Sequence, residues 1–111
     1  DGHIVSGHVD CVGTAKNWEK IDNTIHFDVA FAPQHRQLIV EKGSIAIDGT
    51  SLTINKIQNG ENECSVTFGL LPYSVEKTHL ADEKTEKKVN IEFDLIGKYA
   101  LNSTAYNVSR D

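Results

Sequence analysis

Methionine is absent, and the 111 residues contain only two cysteines, two prolines and one tryptophan. Without methionine, residue 1 is not a translation start, which predicts a processed chain or a piece of a longer one. Two cysteines, Cys11 and Cys64, are too few for the disulfide framework of a small secreted protein. Both are expected as free thiols in a reducing, cytoplasmic compartment, where the sequons at Asn102 and Asn107 carry little meaning. No apolar run approaches the ~20 residues of a membrane span, and no basic-then-apolar leader is present. Bases are also short. Eleven Lys and Arg stand against sixteen Asp and Glu, for a net charge of -5, and a chain that held nucleic acid by charge neutralisation would lean the other way. Eight glycines and two prolines exclude low-complexity and collagen-like chains.

What is there is alternation. In Ile25-His26-Phe27-Asp28-Val29-Ala30-Phe31 the odd positions are apolar, except that Ala30 adds a small apolar residue between them. Cys64, Val66, Phe68 and Leu70 repeat the pattern, as do Val89, Ile91 and Phe93. Each run predicts a strand with one buried face. Residues 44–47 and 51–57 predict two more strands, and residues 3–16 a long, imperfect one with bends or bulges at Gly7 and Gly13. Asp48-Gly49 and the stretch from Gln58 to Asn62 are turn signals. Six strands at this spacing, in one domain over residues 1–111, predict an all-β closed barrel or sandwich.

Short helices are expected between the strands and at the C-terminus. Pro33 opens one that Gly43 ends, and Ser74 caps another running to Ala81. Leu95, Ile96, Tyr99 and Ala100 form an apolar stripe after the last strand, and residues 82–88 read as a charged loop.

Catalytic signatures are sparse. There is no dinucleotide fingerprint, phosphate loop or nucleophile elbow. His3, His8, Asp10 and Cys11 cluster, but strand alternation puts His8 and Asp10 on one face and His3 and Cys11 on the other. No second pair completes a tetrahedral set, so no metal site is expected.

Two segments are less ordinary. In the stretch from Lys42 to Thr53 a strand runs into Asp48-Gly49, and alternation then sets Ser51 and Thr53 on one side, Leu52 and Ile54 on the other. This is either a plain turn followed by β-forming Ser and Thr, or a polar pocket for a hydroxyl-rich ligand. In Gly69-Leu70-Leu71-Pro72-Tyr73-Ser74 a strand breaks at proline and enters a capped helix. This is either an ordinary connection, or a place where main-chain groups and helix N–H donors hold a planar heterocycle with amide-like edges.

Four motifs stand in order: Ser6-Gly7-His8-Val9-Asp10; Lys42 through Thr53; Leu71 through Thr78; and Val89 through Asp94 with Lys98-Tyr99. Together they resemble the C-terminal barrel of the riboflavin synthase family, over about residues 2 to 100. The resemblance implies a six-stranded Greek-key barrel, one of two in a subunit whose C-terminal helix helps form a trimer. It implies dismutation of two 6,7-dimethyl-8-ribityllumazine molecules to riboflavin and 5-amino-6-ribitylaminouracil, the last step of riboflavin biosynthesis, with no cofactor. The active site would lie between this barrel and the N-terminal barrel of a neighbouring subunit. Carried over by motif, the ligand-binding residues are Gly7, His8, Val9, Lys42, Ser51, Leu52, Thr53 and Gly69, Leu70, Leu71, Pro72, Tyr73, Ser74. Asp48 and Asp94 are candidates for polar contacts. The family carries Thr at the position of Ser74, which keeps the hydroxyl, and Tyr73 is bulkier than the family pattern. His8, Ser51 and Lys42 are the catalytic candidates: His8 because imidazole titrates near neutrality, Ser51 as a hydrogen-bond donor, Lys42 as a cation near ring oxygens or ribityl hydroxyls. Two other readings remain. One is a non-catalytic lumazine- or flavin-binding optical protein of the same superfamily. The other is an RNA-binding barrel, which the acidic balance opposes.

Overall fold

The computed structural model describes Val5, residues 7–71 and residues 86–94. The helix expected over residues 74–81, the C-terminal stripe, and Pro72, Tyr73 and Ser74 lie outside these residues. Among the described residues the architecture is all-β. Seven strands run in chain order: β1 (Cys11–Ile21), β2 (Thr24–Phe31), β3 (Ser44–Ile47), β4 (Thr50–Thr53), β5 (Lys56–Asn59), β6 (Cys64–Leu70) and β7 (Lys87–Phe93). They form one antiparallel sheet in the order β4-β3-β7-β1-β2-β6-β5. The expected helix after Pro33 is a 3-10 helix, Pro33–Leu38, which ends where Ile39 turns extended, before Gly43 is reached.

The strand expected over residues 51–57 is two strands with different neighbours. Thr50–Thr53 pairs with β3, whereas Lys56–Asn59 pairs with β6. The change of partner falls between Ile54, whose N–H donates to the Gly43 carbonyl, and Asn55, whose N–H donates to the Thr67 carbonyl. β4 and β5 thus occupy opposite edges of the sheet with only Ile54 and Asn55 between them. A link that short spans roughly 10 Å when extended, so the sheet curls until its edges approach.

Curling gives the sheet an inner face, and the alternating apolar positions fill it. Phe27, Val29, Val66, Phe68, Val89, Ile91 and Phe93 are buried there with Ile45, Ile47 and Ile54. Phe27 packs against Phe68 at 5.3 Å and Phe31 meets Phe93 edge-on at 5.5 Å. Each such side chain contributes about 1.5–3 kcal/mol by leaving water.

The first strand differs from expectation. It covers Cys11–Ile21 rather than residues 3–16, and its irregularity falls between Lys16 and Glu19, where Asn17 takes a φ of 60°. Gly13 is not a bend. It sits in regular pairing opposite Val89 and faces inward, where an added Cβ would lie 2.6 Å from Ile91 Cδ1 and 2.7 Å from the Ala30 carbonyl oxygen. Only glycine allows that close approach. Gly7, with φ 86°, does mark a turn in the chain before β1.

Candidate functional site on the outer face

The outer face of β4, β3 and β7 carries the polar residues. Asp48-Gly49 closes the β3–β4 hairpin as a two-residue turn between the paired Ile47 and Thr50. Both turn residues have positive φ, 49° and 84°, the pattern of a type I′ turn, which Asp and Gly tolerate best. The hairpin aligns Ala46 with Ser51 and Ser44 with Thr53 on the outer side. Leu52 turns into the core, so its side chain packs rather than facing the outer surface. Lys42 is exposed and holds a φ of 67°, a left-handed conformation that costs an L residue roughly 1–2 kcal/mol. Its N–H donates to the Ile54 carbonyl at 2.9 Å, fixing this turn against the point where the strand changes partner.

The segment from Gly7 to Asp10 runs over β7. The Asp10 N–H donates to the Ile91 carbonyl at 2.8 Å, and Asp10 Oδ2 accepts the Phe93 N–H at 2.8 Å. Glu92 reaches back, and its Oε1 accepts the Gly7 N–H at 2.9 Å. Asp48 serves the middle of the same strand, where its Oδ1 accepts the Asn90 N–H at 2.7 Å and its own N–H donates to the Asn90 carbonyl. Beside these bonds lies an open cavity of about 340 Å³ lined by Gly7, Val9, Ala46, Asp48, Asn90 and Glu92, among others. His8 and Val9 are exposed on the segment above it.

The end of β6 forms a second part of the surface. Its pairing with β5 stops at Lys56 opposite Thr67, but its pairing with β2 continues to Leu70. The Thr67 carbonyl points to the β5 side, because it accepts the Asn55 N–H. Antiparallel strands alternate the direction of their main-chain groups, so Gly69 aims its N–H and C=O the same way, past the end of β5. Gly69 is exposed, and a Cβ there would press on Thr24 and His26 at 3.2 and 3.4 Å. Leu70 is a core residue and Leu71 is exposed.

Gly7, Val9 and Asp48 therefore share one cavity, Ser51 projects beside its Ala46 wall, and Gly69 and Leu71 stand at the strand end next to the β4–β5 junction. Asp94 is half-buried directly after β7. Sequence reasoning missed Glu92 and Asn90 as members of the cavity. Their even positions in a strand signal only an outward face, and nothing local says that a segment some 80 residues away covers it.

The thiols offer no nucleophile. Burial, with the Asp10 carboxylate adding to it, pushes the Cys11 thiol up to about 11, and burial raises Cys64 against a smaller opposing effect of Arg36. A raised thiol stays protonated at neutral pH. Among the described residues no group of three His, Cys, Asp or Glu is arranged to hold a metal ion, and no helix is long and apolar enough to cross a membrane.

Comparison with known proteins agrees with the motif resemblance. The chain is 41% identical over 98 residues to riboflavin synthase of Bacillus subtilis (strain 168), covering 88% of this chain and 44% of that protein. It is 41% identical over 98 residues to riboflavin synthase of Meyerozyma guilliermondii, covering 87% and 40%. It is 38% identical over 107 residues to riboflavin synthase of Brucella abortus (strain 2308), covering 95% and 50%. The chain spans about half the length of the curated relatives it matches. Residues 6–94, nearly everything from the Gly7 turn to the end of β7, match the lumazine binding domain. The chain, a curled antiparallel sheet with a cavity on its outer face, belongs to the lumazine-binding domain family.

Proposed function

We propose that this chain is the C-terminal, lumazine-binding barrel of a riboflavin synthase. In this reading β4 and β5 are one bent strand, and counting them together makes the curled sheet a six-stranded Greek-key barrel. The enzyme would convert two molecules of 6,7-dimethyl-8-ribityllumazine into riboflavin and 5-amino-6-ribitylaminouracil by moving a four-carbon unit from one to the other. The observation that carries the reading is the match of residues 6–94 to the lumazine binding domain, and the layout of the β4–β5 junction supports it. On one side of that junction β4 carries the outward Ser51 and Thr53, and on the other Gly69 of β6 aims its main-chain groups past the end of β5. Hydroxyls suit a ribityl chain, and a paired N–H and C=O suit the amide-like edge of a pyrimidine ring.

The chemistry needs a proton removed from the C7 methyl of one lumazine. The electron-poor ring spreads the resulting negative charge, so a modest base suffices. His8, exposed on the segment above the cavity, is the candidate for moving that proton. Ser51 would hydrogen-bond the ring or stabilise developing charge, Lys42 would offer a cation, and Thr53 and Asp48 would meet the polyol. None of these groups is a strong catalyst alone. Most of the rate would come from holding two identical rings face to face, and the second ring would sit on an N-terminal barrel, in an oligomer of such subunits.

A fluorescence titration with 6,7-dimethyl-8-ribityllumazine and with riboflavin tests this directly. One ligand per chain is expected, with little riboflavin formed by the chain alone. Ser51→Ala and Thr53→Ala each should weaken binding about tenfold, the worth of one hydrogen bond at the upper end of its ordinary range. Absence of saturable binding refutes the ligand assignment, and full turnover by the chain alone refutes the single-site part of it.

A further inference from the structure

Glu92 is 4% exposed although it stands on the outer, polar side of the sheet. A sheet position that needs only covering is filled more cheaply by an apolar residue, because a buried charge must recover its lost hydration from specific partners. Glu92 has such a partner in the Gly7 N–H, 2.9 Å from Oε1 and 85 residues away in the chain. Gly7 is the residue at which the chain turns, with φ 86°. Asp10, three residues on, is tied to the same strand by its own N–H to Ile91 and by its carboxylate to Phe93. The pair of ties fixes both ends of a four-residue span, and the two residues between them are His8 and Val9. Register explains why a side chain is needed. The main-chain pairing of β1 with β7 begins at Cys11 opposite Ile91, so the chain before Asp10 has left the strand and only a side chain reaches it.

We propose that Glu92 is a positioning residue: it clamps the Gly7 amide and thereby holds His8 and Val9 over the outer cavity in the place where ligand is met. The inference rests on the lumazine reading of that surface, and adds to it a residue that acts through the His8 segment. Asp10 and Glu92 act as a reciprocal pair. One carboxylate belongs to the segment and takes a strand amide, and the other belongs to the strand and takes a segment amide.

The test uses the whole chain as Glu92→Ala, Glu92→Gln, His8→Ala and the double variant His8→Ala/Glu92→Ala. Titration with 6,7-dimethyl-8-ribityllumazine should show Kd raised at least tenfold in Glu92→Ala and within about threefold of wild type in Glu92→Gln, whose amide oxygen still accepts the Gly7 N–H. The loss in the double variant should be smaller than the sum of the two single losses, since both changes act through the same segment. Amide exchange read by NMR supplies a ligand-free measure. Gly7 should exchange at least fivefold faster in Glu92→Ala, while Phe68 in the core keeps its wild-type rate. Unchanged Gly7 exchange, a Phe68 rate that rises in step with Gly7, wild-type affinity in Glu92→Ala, or losses that add in the double variant each overturn the proposal. If the wild-type chain binds no lumazine, the ligand reading falls and takes the proposal with it. If wild type binds and Glu92→Ala binds equally well, only the proposal falls.

Discussion

The two faces of the curled sheet use the same strands and are built by different physics. On β7, Val89, Ile91 and Phe93 face inward and are almost wholly buried, while Asn90 and Glu92 face outward from between them. The inner residues gain by leaving water, an effect without direction that tolerates any well-fitting apolar neighbour. On the outer side the gains are directed bonds to named partners: the Asn90 amide to Asp48, the Glu92 carboxylate with the Gly7 amide, and the Phe93 amide to Asp10. The inner face holds the sheet together. The outer face fixes where a turn and a segment lie on it, which is the requirement of a binding surface.

The sharpest way to break this division is to cut the inner face. Phe68 is fully buried between Phe27 and the aliphatic wall. Phe68→Ala should cost about 3–5 kcal/mol, through lost transfer energy and the cavity left behind. At roughly 4–8 °C of Tm per kcal/mol this approaches the whole stability of a domain of this size. Thermal unfolding followed by circular dichroism reads the result, and a drop of less than about 1 kcal/mol would mean that the inner face is not the main source of stability.

A subtler inner change adds volume instead of removing it. Gly13→Ala places a methyl group 2.7 Å from the Ala30 carbonyl oxygen and 2.6 Å from Ile91 Cδ1. Ile91 can shift its terminal methyl, but the β2 backbone cannot give way without disturbing its register. The expected loss is about 1–3 kcal/mol, checked by denaturant unfolding with an unchanged m-value. A neutral result would show that β1 and β2 are looser at this point than their pairing of Thr14 with Ala30 indicates.

The same division decides what the sequence makes legible. Alternation announced β2, β6 and β7 with their buried residues, Ile25 excepted as half-buried, because period two depends only on which side of a strand a side chain points. It misjudged β1, whose outer half from Lys16 to Lys20 carries charge on an exposed hairpin and has Trp18 as its one apolar marker. It read residues 51–57 as a single strand, because local pattern cannot reveal that the partner changes from β3 to β6 at Ile54. Gly13 looked like a flaw in a strand and is a close approach between strands. On the outer face, alternation set Ser51 and Thr53 on one side of a candidate polar pocket, His8 became a catalytic candidate through resemblance to a family, and Glu92 and Asn90 did not stand out. Hydrogen bonds between residues 42 to 85 positions apart leave no periodic trace.

The smallest expected effect sharpens the comparison most, because Asp48 does two jobs in one turn. Its backbone occupies the left-handed region at φ 49°, and its Oδ1 accepts the Asn90 N–H. Asp48→Ala loses both advantages: alanine resists positive φ, and the Asn90 amide is left to exposed solvent. About 1–2 kcal/mol should be lost. Asp48→Asn keeps an acceptor oxygen and a residue type at home in a type I′ turn, so it should stay within about 0.5 kcal/mol of wild type. If the Asp48 carboxylate were needed for its charge rather than its geometry, both variants would lose stability alike. Chemical denaturation of the pair separates the cases: directed hydrogen bonding on the outer face requires that asparagine rescue what alanine loses.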